Sequence, residues 1–197
     1  MKILEVACGT GRFMTFARDN LPLDAEFTGV DLSPFYLNNA KKNDRNWRSV
    51  RERTEAARGD VTTPVAPANF VQANGEELPF GDADFDAVVC MYLYHEIPRA
   101  ARARVSAEMA RVAKPGGKVV LVDACQRGDR PGTDKFIGAF ANMNEPHWLD
   151  YVDDILPTHF EMMGMACATK TVRGSTKALV FDKCLEYNSD QYARLSP

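Results

Sequence analysis

Ile3-Leu4-Glu5-Val6-Ala7-Cys8-Gly9-Thr10-Gly11-Arg12-Phe13 carries a buried β-type run through two glycines into a helical pattern. The run covers residues 2–7, and the helix continues to about Asn20 with Phe13, Phe16 and Ala17 on one face. Glycine lets the backbone bend tightly and come close to a ligand, and a helix N-terminus offers unpaired N–H groups. A second β-type run, residues 26–31, ends on Asp31, 20 residues after Gly11. A carboxylate at that place can accept hydrogen bonds from both hydroxyls of a ribose.

Working outward, β-type runs alternate with helical stretches, the pattern of a parallel sheet covered by helices. Ser33-Pro34 starts a second helix, with serine as N-cap and proline in the first turn. Ala40, Trp47, Val50 and Ala57 give it one narrow apolar stripe. Residues 41–58 carry seven basic and three acidic side chains, read as a solvated outer face rather than a nucleic-acid patch. Residues 59–68 form a proline-marked loop, 69–73 a third strand and 85–90 a fourth. Residues 98–114 form an amphipathic helix with Ala101, Val105, Met109 and Val112 inward, and Lys114-Pro115-Gly116-Gly117 stops it. Residues 118–124 are a fifth strand. Residues 126–148 read as a loop with a short helix, and 149–163 as one helix. Residues 167–172 and 178–184 form a hairpin around Arg173-Gly174-Ser175. The expected organisation is one domain over 1–185 and a tail over 186–197.

Composition narrows the class. The 197 residues suit one domain, and 45% apolar with 26% charged residues suits a packed core. The net charge of -3 argues against a nucleic-acid or anionic-membrane partner. The longest apolar run, residues 87–94, is too short for a membrane span, and no signal peptide precedes the first strand. Five cysteines without CxxC spacing and three histidines without a ligand motif give no reason to expect a metal. The cysteine pattern suits a reducing compartment, so a cytoplasmic location is expected.

Two cofactor classes share the layout of glycine turn and acidic residue. The dinucleotide fingerprint GxGxxG needs a third glycine at position 14, where Met14 stands. The other pattern, acidic-x-Gly-x-Gly-x-Gly, reads here as Glu5, Ala7, Gly9 and Gly11, with alanine at the first glycine position. In this the chain resembles the class I S-adenosylmethionine-dependent methyltransferases. Ala73-Asn74-Gly75-Glu76-Glu77-Leu78-Pro79-Phe80 resembles the family's GDAxxLPF, with Asn74 in place of aspartate. Phe85-Asp86-Ala87-Val88-Val89 resembles its fourth strand, and Glu108 to Gly117 its ExxRVLKPGG. The resemblance covers residues 2–124 closely and the hairpin loosely. It implies an α/β, Rossmann-like doubly wound sheet of seven strands, mostly parallel with a C-terminal antiparallel hairpin. It also implies S-adenosyl-L-methionine as cofactor.

The resemblance further implies roles. The backbone at Glu5, Ala7, Gly9 and Gly11 holds the methionine end of the cofactor. Asp31 binds ribose, Leu32 packs on adenine, and Asn74 and Gly75 frame the adenine edge. Cys90 and Met91 pass beneath the cofactor. Methyl transfer asks the protein to align a nucleophile, and a hydroxyl acceptor gains from a base titrating near neutrality. His95 stands at the carboxyl edge of the sheet and is the candidate base, or else a pocket-shaping residue, with Tyr94 and Glu96 beside it. In residues 142–154, His147, Trp148 and Tyr151 are candidates for the acceptor side, or else form a loop over the sheet edge. Neither [DNS]PP[YF] nor a Pro-Cys pair occurs, which disfavours nucleic-acid or glutamine methylation. A small-molecule acceptor remains, and the region most resembles the group that includes quinone-biosynthesis methyltransferases.

Family members carry a helical segment before the first strand, which here begins at residue 2. Three readings stay open: a shortened chain, an open site, or a cover supplied by a second copy or another partner. The alternatives to an active methyltransferase are a non-catalytic cofactor-binding or interaction module, or a truncated core. A nicotinamide oxidoreductase stands third, and Met14 argues against it.

Overall fold

The structure is a computed structural model that describes residues 1–61, 63–142 and 144–184, without the side chains of 140–142. The expected tail, 186–197, lies outside the described residues. Strands β1 (Lys2–Val6), β2 (Glu26–Asp31), β3 (Asn69–Gln72), β4 (Phe85–Met91), β5 (Ala113–Ala124), β6 (Met165–Arg173) and β7 (Thr176–Lys183) form one sheet. Its order is β3-β2-β1-β4-β5-β7-β6. The first five strands are parallel, while β7 runs antiparallel to both β5 and β6. This is the expected Rossmann-like sheet with its closing hairpin. Helices α1 (Arg12–Asn20), α2 (Pro34–Arg58), α3 (Arg99–Val112), α4 (Trp148–Val152) and α5 (Leu156–Glu161) cover it.

Both faces of β1 are buried, as a central parallel strand requires. Leu4 and Val6 pack with Val105, Met109, Leu156 and Phe160 in one core, and Ile3 packs with Met14, Ala17 and Phe27 in the other. Strand order reverses between β1 and β4, so the carboxyl ends of these strands open a crevice, the usual ligand position of such sheets. Among the described residues no helix is long and apolar enough to cross a membrane.

Three expectations fail locally. In α1 the inward residues are Met14, Ala17 and Arg18, and Phe16 is 65% exposed. Arg18 turns inward because Asp44 waits there: its Nη1 donates to Asp44 Oδ1 at 2.6 Å between two buried side chains. In α2 the buried line is Leu37, Ala40 and Asp44, while Val50 lies in solvent. A 25-residue helix runs roughly 37 Å. The four-residue edge strand β3 spans roughly 13 Å, so the far half of α2 has no strand to cover. The single helix expected over 149–163 is two, α4 and α5. Asp154 lies between them, and its carboxylate accepts from Arg102 Nη1 at 2.6 Å and His159 Nε2 at 3.0 Å. Arg102 is fully buried, so this clamp outweighs helix continuity.

Candidate active site

The glycine turn wraps the carboxyl end of β1. Cys8 N donates to Val30 O at 2.9 Å and Gly11 N to Cys8 O at 2.8 Å. Gly9 and Gly11 have φ of 52° and 70°, in the left-handed region that glycine adopts freely. A Cβ on Gly9 would meet nothing within 4 Å, whereas one on Gly11 would lie 3.2 Å from Ala40 Cβ. Gly9 therefore faces the crevice, and Gly11 lets α2 close on the turn. Ala7 occupies the family's first glycine position with φ 56°, a strained conformation for a residue with a Cβ. Ala7→Gly is expected to relieve that strain and raise stability by up to about 1 kcal/mol, after the larger unfolded-state entropy of glycine. Urea unfolding checks it, and a lower midpoint would refute the strain.

Beside the turn lies a cavity of about 490 Å³. Of the residues singled out above, Ala7, Gly9, Asp31, Leu32, Asn74, Gly75 and Met91 line it together. Asp31 Oδ2 accepts from Gly9 N at 2.8 Å and Oδ1 from Ser33 N at 2.9 Å, which fixes the carboxylate at the rim. Each oxygen keeps a lone pair for a ligand donor. Asn74 Oδ1 accepts from Glu76 N at 3.0 Å and is likewise held by its own loop. Leu32 is 65% exposed and Tyr36 47%, so the cavity offers uncovered apolar surface beside a polar rim. Cys90 is fully buried in the core and does not line the cavity.

Glu5 stands behind the turn, 4% exposed, and its Oε2 has no hydrogen-bond partner among the described residues. Burial, and secondarily the charge of Asp31, push its carboxyl up to about 8. Among the described residues no counter-charge faces this buried acid beside the cavity.

After β4 the backbone turns sharply at Tyr92, whose φ is 54°. Two strained non-glycine residues, Ala7 and Tyr92, therefore follow adjacent strands at the crevice, and such strain concentrates at functional sites. Tyr92 lines the first cavity and also a second one of about 380 Å³, whose wall includes His95. His95 Nδ1 donates to Asp123 Oδ1 at 2.6 Å. Asp123 is fully buried and also accepts from Tyr94 N at 2.8 Å and Ala124 N at 2.7 Å. This arrangement orients the ring and leaves Nε2 as the basic nitrogen, 3.9 Å from Glu96 Oε1. The hydrogen bond to Asp123 raises the His95 pKa against the opposing effect of burial.

The other candidates divide. Trp148 lines the second cavity, and its Nε1 donates to Ile137 O at 2.6 Å. Tyr94 is fully buried; its hydroxyl pairs with Ser106 Oγ at 2.8 Å, so its side chain serves the core. Tyr151 is fully buried beneath His95, with its hydroxyl donating to Ala124 O. His147 precedes α4, where its carbonyl accepts from Tyr151 N, and it lines neither cavity. Sequence reasoning missed Asp123, Tyr92, Arg130 and Phe136. The signal for Asp123 was present: a lone carboxylate at the carboxyl end of an apolar strand. A third cavity, about 520 Å³, lies beside Asp129, Lys170 and Lys177. Those charges answer one another, with Lys177 Nζ 3.3 Å and Lys170 Nζ 2.5 Å from Asp129, so it has no comparable open chemistry.

Comparison with known proteins gives the chain's family and supports its fold. The profile of the family described as "Methyltransferase domain" matches residues 4–121. The chain is 32% identical over 143 residues to a phosphatidylethanolamine N-methyltransferase of Cereibacter sphaeroides, covering 72% of this chain and 60% of that one. It is 31% identical over 122 residues to a demethylmenaquinone methyltransferase of Bacillus licheniformis, covering 62% and 44%. The chain thus spans about half the length of these curated relatives. A crystal structure of a SAM-dependent methyltransferase from Methanosarcina mazei superposes with a TM-score of 0.64 at 19% identity. It covers 94% of this chain and 93% of that one, an agreement of fold.

Proposed function

From the premise that the chain belongs to the methyltransferase-domain family, whose cofactor is S-adenosylmethionine, we propose that it methylates a small-molecule acceptor. The observation that carries the proposal is the pair of cavities meeting at Tyr92, one lined by the glycine turn and Asp31, the other by His95. The residues present fit the cofactor. The first cavity has a carboxylate rim for ribose at Asp31 and uncovered apolar surface for a base at Leu32. A buried acid, Glu5, stands next to it and lacks the positive charge that an ammonium group supplies.

In this reading the backbone at Ala7 and Gly9 holds the methionine end, with Glu5 behind it and Gly11 shaping the turn. Asn74 and Gly75 frame the adenine, and Met91 floors the cavity. When bound, the cofactor would supply an electrophilic methyl group for the acceptor's electron pair, with a neutral thioether as leaving group. His95 Nε2 takes the acceptor's proton, and Asp123 steadies the imidazolium that results. Trp148 flanks the acceptor. Tyr151, and Tyr94 through its backbone, position His95 and Asp123 from below, and His147 acts only through the start of α4. The relatives named above carry different acceptors in their names.

Calorimetric titration with S-adenosylhomocysteine tests the cofactor assignment. Binding in the micromolar range is expected, and no heat at millimolar ligand would overturn it. Asp31→Asn should weaken that binding about tenfold by replacing one acceptor oxygen with an amide. Unchanged affinity would remove Asp31 from the ribose site.

A further inference from the structure

We propose that the cavity beside His95 takes a hydroxylated aromatic ring bearing an anionic group, with the hydroxyl toward His95 and the anion toward Arg130; this rests on the methyltransferase reading above. The cavity walls are aromatic and aliphatic, with Tyr92, Phe136, Ile137 and Trp148 among them, and Phe136 is 62% exposed. Its volume of about 380 Å³ falls within the range of small-molecule pockets, roughly 300–1,000 Å³. Such walls favour a flat apolar body over an extended polar one.

The cavity is polarised. The charged groups acting most strongly on His95 are Asp123, Glu96 and Glu145, all acidic. They favour a proton arriving on Nε2, and they disfavour an anion at that end. The charged groups acting on Cys125, which also lines the cavity, are Asp129 first and then the cations Lys177, Arg130 and Lys170. Lys170 and Lys177 are paired with Asp129. Arg130 makes no ion pair among the described residues, although it lines the cavity. Its Nη1 donates to Gly174 O at 2.7 Å, which pins the guanidinium across the hairpin turn. Four further N–H donors remain on a planar fork that suits a carboxylate. Thr133, whose backbone N and hydroxyl both donate to Arg130 O, at 2.8 and 3.0 Å, lines the cavity beside it.

A proton-bearing group therefore fits one end and an anion the other. A carboxylate nucleophile or a free amine would need no base, so the His95–Asp123 pair favours a hydroxyl. In the transfer the ring oxygen gives its proton to His95 Nε2 and gains the methyl group. The sulfur keeps the electron pair of the broken bond, and the imidazolium later returns its proton to water.

The test uses 3,4-dihydroxybenzoate, 3,4-dihydroxybenzamide and 3,4-dihydroxybenzylamine, which share a ring and differ in charge. Each is titrated into the protein saturated with S-adenosylhomocysteine, followed by calorimetry. The benzoate should bind about tenfold tighter than the benzamide, with the benzylamine weakest. Arg130→Gln should bring benzoate and benzamide within about twofold. With S-adenosylmethionine, the benzoate should yield its O-methyl ether. Tightest binding by the benzylamine, an unchanged order in Arg130→Gln, or no binding by all three while S-adenosylhomocysteine binds would overturn this inference and leave the methyltransferase reading standing. Failure of S-adenosylhomocysteine to bind overturns both.

Discussion

Replacing Glu5 by glutamine should raise the melting temperature of the cofactor-free protein by several degrees at pH 8, and weaken S-adenosylhomocysteine binding about tenfold. Glu5 is buried, and one of its oxygens has no partner among the described residues. Burial and Asp31 raise its folded pKa to about 8 from an ordinary value of 4.5. With a raised folded pKa, the group's stability contribution is fully present below the ordinary carboxyl range. It is lost as pH rises through about 8. One pKa unit corresponds to about 1.4 kcal/mol, so the loss between pH 5 and pH 8 amounts to a few kcal/mol. Glutamine has nearly the same shape and no proton to lose, so the variant should hold its stability across that interval. A ligand ammonium group reverses the balance by stabilising the ionised form of Glu5, and glutamine forgoes that attraction. Thermal melts at pH 5 and pH 8, with titrations at both, read the two effects separately. A variant that melts lower than wild type at pH 8 would sink the argument.

Removing the proposed base should have the larger effect on rate. His95→Gln is expected to lower kcat by about 10²–10⁴ for a hydroxyl acceptor, the usual share of general-base catalysis. Asp123→Asn should also lower it, because the amide no longer holds the tautomer that leaves Nε2 basic. The pH profile separates chemistry from simple damage. The hydrogen bond to Asp123 raises the His95 pKa, so the wild-type rate should climb with pH along a limb above the ordinary histidine value of 6.5. In Asp123→Asn that limb should move to lower pH, and in His95→Gln it should vanish. The stability effect has the opposite sense: the His95–Asp123 contribution is full below the ordinary histidine pKa and fades as pH rises through the raised one. A His95→Gln protein that keeps the wild-type limb would clear His95 of the role.

Much of this was legible because local signals reported it. The glycine turn, the Ser33 cap and the alternation of runs depend on a few neighbouring residues, and the strands of the sheet followed from them. The ExxR stretch was legible as a motif although its work is architectural. Glu108 Oε2 accepts from Leu78 N at 2.7 Å, and Arg111 Nη1 donates to Phe80 O at 2.8 Å, so the pair holds the loop that carries Asn74. What escaped was set by distant partners. Arg18 turned inward for Asp44, 26 residues away. The helix over 149–163 split because Arg102, on α3, claims Asp154. His95 stood out for its place at the sheet edge, but its orienting Asp123 lies 28 residues on, and only the β4–β5 register brings them together. Tyr94 misled for a similar reason. It adjoins His95 in the chain, yet its side chain turns into the core to reach Ser106.

The hairpin at the end of the sheet has a consequence for how such a protein can diversify. The wall of the first cavity is drawn from residues 6–105, whereas much of the second is drawn from residues 124–175. The family profile matches residues 4–121, so of the second wall it takes in Tyr92 and His95 but not the stretch from Ala124 onward. Tyr92 and His95 apart, the two walls therefore follow one another along the chain. Exchange of the distal portion, with β6 and β7 as its frame, would graft a new acceptor preference onto an unaltered cofactor grip. Tyr92 marks the seam, since its hydroxyl reaches Thr176 and ties the two portions together.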